Sequence, residues 1–279
     1  MMTTNRKEYD LIASLGGNCS ASSQIRFRGL RTCSLALDWT TFFSDKALAY
    51  IPEGLRSRFR DLCRYENMQE FDAARIEHGR LTYKFMDTAT GFHFWHHFFE
   101  PLADRQAFDR QRLVLERRMD RFYSKVAESK NALFILSTPF SYDPGFDEAI
   151  LSALREVFPD TTSELVAIQF ASQSHERLDL CDGMLHVETF TRPINVVYDN
   201  MLTSTEWAWM DELSLSAQSR PPLGPLRSCL AKWKYKLWKN LGSSLLKDGI
   251  AKGRMPFCQI ERGILFATPT DAASGQPHG

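Results

Sequence analysis

Unbroken apolar runs and spaced apolar stripes alternate along the first 190 positions of the 279-residue chain. "YDLIASL", residues 9 to 15, is a mostly apolar run that reads as a buried strand, and it stops at Gly16-Gly17. "SASSQIRFRGL", residues 20 to 30, reads as a helix of two to three turns, with Gly29 as its stop because glycine accepts the left-handed conformation there. "CSLALDWTTFF" is apolar without a period and reads as a buried connector, while "SDKALAYI" reads as a short helix capped by Ser44. Residues 81 to 99, "LTYKFMDTATGFHFWHHFF", predict a β-hairpin that turns between Asp87 and Gly91. Over residues 104 to 129 the helical period is clear, with Phe108, Leu115, Met119, Phe122 and Val126 on one face. "NALFILS" then reads as a strand, "PGFDEAILSALREVFP" as an amphipathic helix ended by Pro159, and "SELVAIQF" and "MLHVETF" as two further strands.

Apolar strands that alternate with amphipathic helices need cover on both sheet faces. The expected fold class is therefore α/β, a layered mixed or parallel sheet with helices on both faces. One domain is expected over residues 8–215, followed by a linker "SAQSRPPLGP" at 216–225. A basic helical appendage with terminal strands is expected over 226–269, and a disordered tail over 270–279.

Composition changes this picture little, but charge placement does. Lys+Arg and Asp+Glu are equal at 34 each, so the whole chain has no net field that favours nucleic acid. Between Leu226 and Arg254, however, eight Lys/Arg face one Asp, so this segment carries +7 and the rest −7. Around its "KWKYKLWKNLGSSLL", Leu230 just ahead of the stretch falls with Trp233, Leu237, Leu241 and Leu245 on one helical stripe with lysines on the flanks. Such a helix can pack on the domain or lie on an anionic membrane surface, and no nucleic-acid partner is expected. The opening "MMTTNRKEYD" has no apolar leader region, and no run approaches the ~20 residues of a membrane span. The six cysteines are scattered without a CxxC spacing. A cytoplasmic protein with reduced thiols, peripheral to the inner membrane surface at most, is the expectation.

Cys19 stands two residues after the double glycine, where a strand meets a helix. A nucleophilic thiolate needs a lowered pKa, and the unpaired N–H groups of a helix N-terminus supply one means. The same amides, around Gly17, Asn18 and Ser20, would form an oxyanion hole, and Asn18 or Ser20 would cap the helix. The competing reading is a small buried residue at a glycine turn. A phosphate site is also compatible with such a junction, but neither GxGxxG nor GK[ST] is present.

"GFHFWHHFFE" is the second unusual stretch. Strict strand alternation would put Phe92, Phe94, His96 and Phe98 on one face, and His93, Trp95, His97 and Phe99 on the other. His93 and His97 with Glu100 lack a recognisable further ligand, so no metal is expected, nor any other cofactor. A histidine held among aromatic rings suits a general base.

"YDLIASLGGNCSASSQIRFRGLRTCSLALDW" resembles the opening of a bacterial family of putative papain-like cysteine peptidases, with its S-L-G-x-N-C motif, its Q-[LI]-R element, a G-L-R segment and a D-W pair. Here these are Ser14, Leu15, Gly16, Asn18, Cys19, Gln24, Ile25, Arg26, Gly29, Leu30, Arg31, Asp38 and Trp39. The family's H-D-F element falls on "HHF", with His96 on its histidine and His97 on its acidic position. Its R-R-x-x-R-F pattern falls on Arg117, Arg118, Arg121 and Phe122. The resemblance covers about residues 8 to 170 and extends more loosely to 215. It implies thiol chemistry on a peptide or acyl substrate, with Cys19 as nucleophile and His96 as base. It also implies an α+β papain-like alternative for the fold. Asp38 is then a candidate to orient the histidine, against a plainer reading as a salt-bridged aspartate beside Trp39. Gln24 and His97 are candidates for substrate contact, and for Gln24 a structural role is the favoured reading. The alternative function is a non-catalytic α/β module that binds a sugar or nucleotide-sugar ligand.

Overall fold

The computed structural model describes residues 7–77, 80–171, 176–181, 184–191 and 205–216. Of the linker only Ser216 falls among them, and the basic helix, terminal strands and tail expected after it lie outside the described residues. In chain order the first elements are β1 (Lys7–Tyr9), β2 (Leu11–Gly16), α1 (Cys19–Phe27), β3 (Thr40–Thr41) and α2 (Asp45–Ser57). Then come β4 (Met68–Glu77), β5 (Arg80–Asp87), β6 (His93–Phe98), α3 (Arg105–Ala127) and β7 (Asn131–Ser137). The described elements close with α4 (Gly145–Val157), β8 (Thr162–Ala171), β9 (Glu176–Leu180), β10 (Leu185–Thr191) and β11 (Leu213–Leu215).

The central sheet has the order β2-β7-β8-β10-β9. Its first four strands are parallel, and β9 runs antiparallel to β10. The continuous apolar runs follow from burial on both faces. Leu11, Ala13, Leu15, Phe134 and Leu136 join the core under α2, α3 and α4. Ile12, Leu133, Ile135, Val166 and Ile168 join a second core. That core is closed by Ala21 and Ile25 of α1 and by Trp207 and Met210 of a 3-10 segment, Thr205–Glu212. All five residues of the stripe expected on α3 are buried.

A second, antiparallel sheet has the order β3-β6-β5-β4. The hairpin expected over 81–99 is its centre, β5 to β6, with the turn after Asp87. The molecule is thus a mixed α/β structure with a parallel sheet covered on both faces and an antiparallel sheet beside it. Two differences from the sequence reading have a shared cause. β4 and β9 stand at the sheet edges and mix charged with apolar residues, so no period revealed them. The connector "CSLALDWTTFF" contains β3, which is two residues long and pairs with Phe94 and His93, too short to leave an alternation. Helix α2 also runs on to Ser57, beyond the expected Ile51.

Candidate functional site

Strand β2 ends in a turn that only glycine can make. Gly16 and Gly17 have φ of +90° and +94°. A Cβ on Gly16 would collide with Thr40 Oγ1, and one on Gly17 would meet the backbone of Ser137, with the carbonyl carbon at 2.8 Å. The chain then extends at Asn18, whose Oδ1 accepts the Ser20 N–H at 2.8 Å and caps α1. Asn18 Nδ2 donates to Ser137 Oγ at 3.2 Å, which ties the helix start to the end of β7. Cys19 is the first residue of α1 and is half-buried. It therefore lies where the first helical amides point outward and the helix dipole is positive. This is also the carboxyl end of the parallel strands, where open α/β sheets hold their ligands.

The far end of α1 closes as the sequence implied. Gly29, at φ +69°, donates to Arg26 O at 3.1 Å, and Leu30 N–H donates to Ile25 O at 3.0 Å. These two bonds are the paired closure of a Schellman motif. Gln24 is buried on α1 and its Oε1 accepts from Arg28. Arg28 in turn reaches Trp207 O at 2.8 Å and Asp211 at 3.0 Å. Gln24 thus sits where α1 meets the 205–212 segment.

Asp38 is buried, and its carboxylate is taken up locally. Arg31 Nη2 donates to it at 2.6 Å and the Leu35 N–H at 2.8 Å, with Ser22 Oγ at 3.4 Å. Burial pushes its pKa up, while Arg31, the Leu35 amide and Ser22 pull it down. The plainer reading of Asp38 is the geometry observed: it holds Arg31. Arg31 lies over the Trp39 ring at 5.6 Å, and the His96 ring meets Trp39 edge-on at 6.1 Å between centroids. It is Trp39, and not the Asp38 carboxylate, that packs against His96.

Strand β6 does not keep the expected alternation. Phe94 opposes Phe85 and Phe98 opposes Tyr83, so four steps along β6 match two along β5. The bulge turns the faces over in mid-strand. Phe92, Phe94 and Phe98 are buried together as expected, but His96 leaves them and is only half-buried. His97 is buried against Phe94, with ring centroids 5.4 Å apart, rather than lying beside His93 on an opposite face. His93 packs against Phe43 and Phe71, and burial pulls its pKa down to about 4. Burial, Arg118 and His96 together pull His97 down to about 3. Neither ring nitrogen of His97 has a hydrogen-bond partner.

A cavity of about 110 Å³ opens at this bulge, lined by His96, His97, Phe98, Phe99, Gln111 and Arg118 among others. Arg118 and Gln111 had not been read as site residues. Arg118 was visible only as part of the arginine pattern on α3, and helix geometry alone does not say which of two adjacent arginines turns inward. Gln111 carried no signal. The two halves of the site are joined by residues 37–42. Phe42 N–H donates to Gly17 O at 3.0 Å, Thr40 packs beneath Gly16, and Thr40 pairs with Phe94. The structure therefore gathers Gly17, Asn18, Cys19 and Ser20 in one turn and His96 and His97 in one bulge, with Asp38 and Gln24 in the packing behind α1. Among the described residues no group of three or more His, Cys, Asp or Glu side chains is placed to hold a metal ion, and no helix is long and apolar enough to cross a membrane.

Residues 10–171 match the model of a family described as putative papain-like cysteine peptidase, a domain otherwise of unknown function. No curated protein and no solved structure matches the chain.

Proposed function

The chain belongs to the putative papain-like cysteine peptidase family, and from that membership we propose a thiol hydrolase or acyltransferase with Cys19 as nucleophile and His96 as general base. His96 takes the proton of the Cys19 thiol, and the thiolate attacks the acyl carbon of a peptide or other acyl substrate. The amides at the start of α1 hold the oxyanion as it forms. His96 returns the proton to the leaving group, and water or a second acceptor releases the acyl group from sulfur.

The observation that carries this reading is the position of Cys19 as the first residue of α1, behind two glycines that no other residue can replace. Helix amides favour a thiolate there. His96 is the base of choice among its neighbours because His93 and His97, pulled to about 4 and about 3, stay neutral and lose their proton too readily near pH 7. His96 is half-buried and lines the cavity.

Alkylation of Cys19 by iodoacetamide, followed by mass spectrometry across pH, tests the pairing. Labelling at pH 6 that is lost in His96→Ala is expected. A Cys19 that labels only near the free-thiol pKa of about 8.5 in both proteins would refute the thiol reading and return the non-catalytic, sugar-binding alternative.

A further inference from the structure

We propose that the exposed rings of Phe43 and Phe71, grouped with His93 and Trp95, form a subsite for an aromatic or aliphatic group of the substrate. As a subsite for substrate it rests on the thiol reading above, while the affinity of the rings for an apolar group needs no activated thiol. Large apolar side chains exposed singly are ordinary, and a contiguous group of them marks a binding surface. Phe43 is 47% exposed and Phe71 is 37% exposed. They come from two segments, the connector before α2 and the edge strand β4, and meet on the same two side chains of β6. Both rings stand edge-on to His93, at 4.8 and 4.9 Å between centroids. Both are tilted on Trp95, at 5.6 and 6.5 Å. His93 and Trp95 are half-buried, so the two phenylalanines are the outer members of the group.

The second observation is where the group lies. Thr41 pairs with His93 in the sheet, and Phe42 N–H, one residue on, donates to Gly17 O at 3.0 Å. Phe42 is wholly buried, with its ring against Gly16. The chain therefore turns Phe42 inward and Phe43 outward at the rim of the glycine turn. Between Phe43 and Cys19 stand that one hydrogen bond and three chain steps, each of about 3.8 Å between Cα atoms. Rings that meet edge-on and tilted present apolar edges in several directions, rather than one flat face on which a sugar ring would stack. The chemistry recognised is apolar. Because the surface continues into the Cys19 turn, its occupant is a side chain or acyl tail next to the scissile carbonyl, and not a second copy of the chain.

The test compares two alkylating reagents on the full chain, iodoacetamide and N-benzyl iodoacetamide. Rates at Cys19 are read by mass spectrometry at about pH 9, above the free-thiol pKa of about 8.5, so that the thiol is ionised whatever its surroundings. Glutathione supplies the intrinsic ratio of the two reagents. Cys19 is expected to prefer the benzyl reagent about tenfold more than glutathione does, the gain from partial burial of one ring. Phe43→Ser and Phe71→Ser should each remove most of that preference and leave the iodoacetamide rate unchanged, which also reports that the turn is intact. Phe43→Leu should keep most of it. A wild-type preference equal to that of glutathione would overturn the proposal without any variant. So would a preference that survives both serine substitutions, or self-association of the full chain that Phe43→Ser abolishes, which would give the rings to a second copy. A benzyl preference in a Cys19 that is inert at pH 6 would sink the thiol reading and leave the apolar surface, and a Cys19 activated at pH 6 without the preference would do the reverse.

Discussion

The β2–α1 turn and the β6 bulge are built on opposite terms. At the turn the polar side chains are paired. Asn18 bonds to both Ser20 and Ser137, and Asp38 behind it is held by Arg31, the Leu35 amide and Ser22. At the bulge a buried histidine has two unpartnered ring nitrogens, and His93 has another in Nδ1. The turn is rigid and complete in itself, which suits a nucleophile that must be held in one place. The bulge keeps unmade hydrogen bonds out of water instead. The difference is between a backbone turn whose polar groups are satisfied locally and a strand irregularity whose polar groups are not.

The largest effect expected from breaking the turn is that of Gly17→Ala. The new methyl would meet the Ser137 backbone at a φ that disfavours any side chain. A loss on the order of 4 kcal/mol or more is expected in urea unfolding, enough to abolish a cooperative transition in a marginal domain. Gly29→Ala is the control, since nothing lies within 4 Å of its Cβ. It should cost only about 1 kcal/mol, the conformational term alone. Equal losses at the two glycines would mean that the approach of Gly17 to β7 is not what fixes the turn.

The bulge is probed by pH. His97 has a folded pKa of about 3 against an ordinary 6.5, so the folded state favours its neutral form. The stability this contributes is complete above about pH 6.5 and is lost as pH falls towards 3, by up to about 1.4 kcal/mol per unit. His97→Phe should remove that slope, for a relative gain of about 2 kcal/mol between pH 7 and pH 5. Asp147, on α4, provides the opposite sign. Burial raises its pKa to about 7, so its contribution is present at low pH and lost as pH rises from about 4 to 7. Asp147→Asn should therefore remove the fall in stability between about pH 4 and pH 7. If thermal unfolding shows both variants tilting the profile the same way, the burial of one of these groups is misjudged.

The smallest change sharpens the comparison from within the turn. Asn18→Ala deletes the cap and the link to Ser137, and should lower stability by about 1 kcal/mol. It should also slow Cys19 alkylation at pH 6, because the helix start would no longer be fixed against β7. A variant with normal labelling would show that the glycines alone place the thiol.

The covered sheet of apolar strands, the faces of α3, the closure of α1 at Gly29 and the glycine turn ahead of Cys19 were legible in the chain alone. Each rests on a local rule: apolar runs where both faces are buried, a 3.6-residue stripe, a left-handed glycine, while the choice of Asn18 over Ser20 as cap came from the structure. What happens at His96 and His97 follows from strand pairing, because alternation fails where a bulge adds residues, and the bulge shows only in the register of β6 against β5. Only packing showed that Asp38 serves Arg31 and that Trp39 faces His96. The cavity joins β6 to α3 across the core, and contacts between residues distant in sequence are fixed by the fold, so Arg118 and Gln111 entered the site there and not in the chain's pattern.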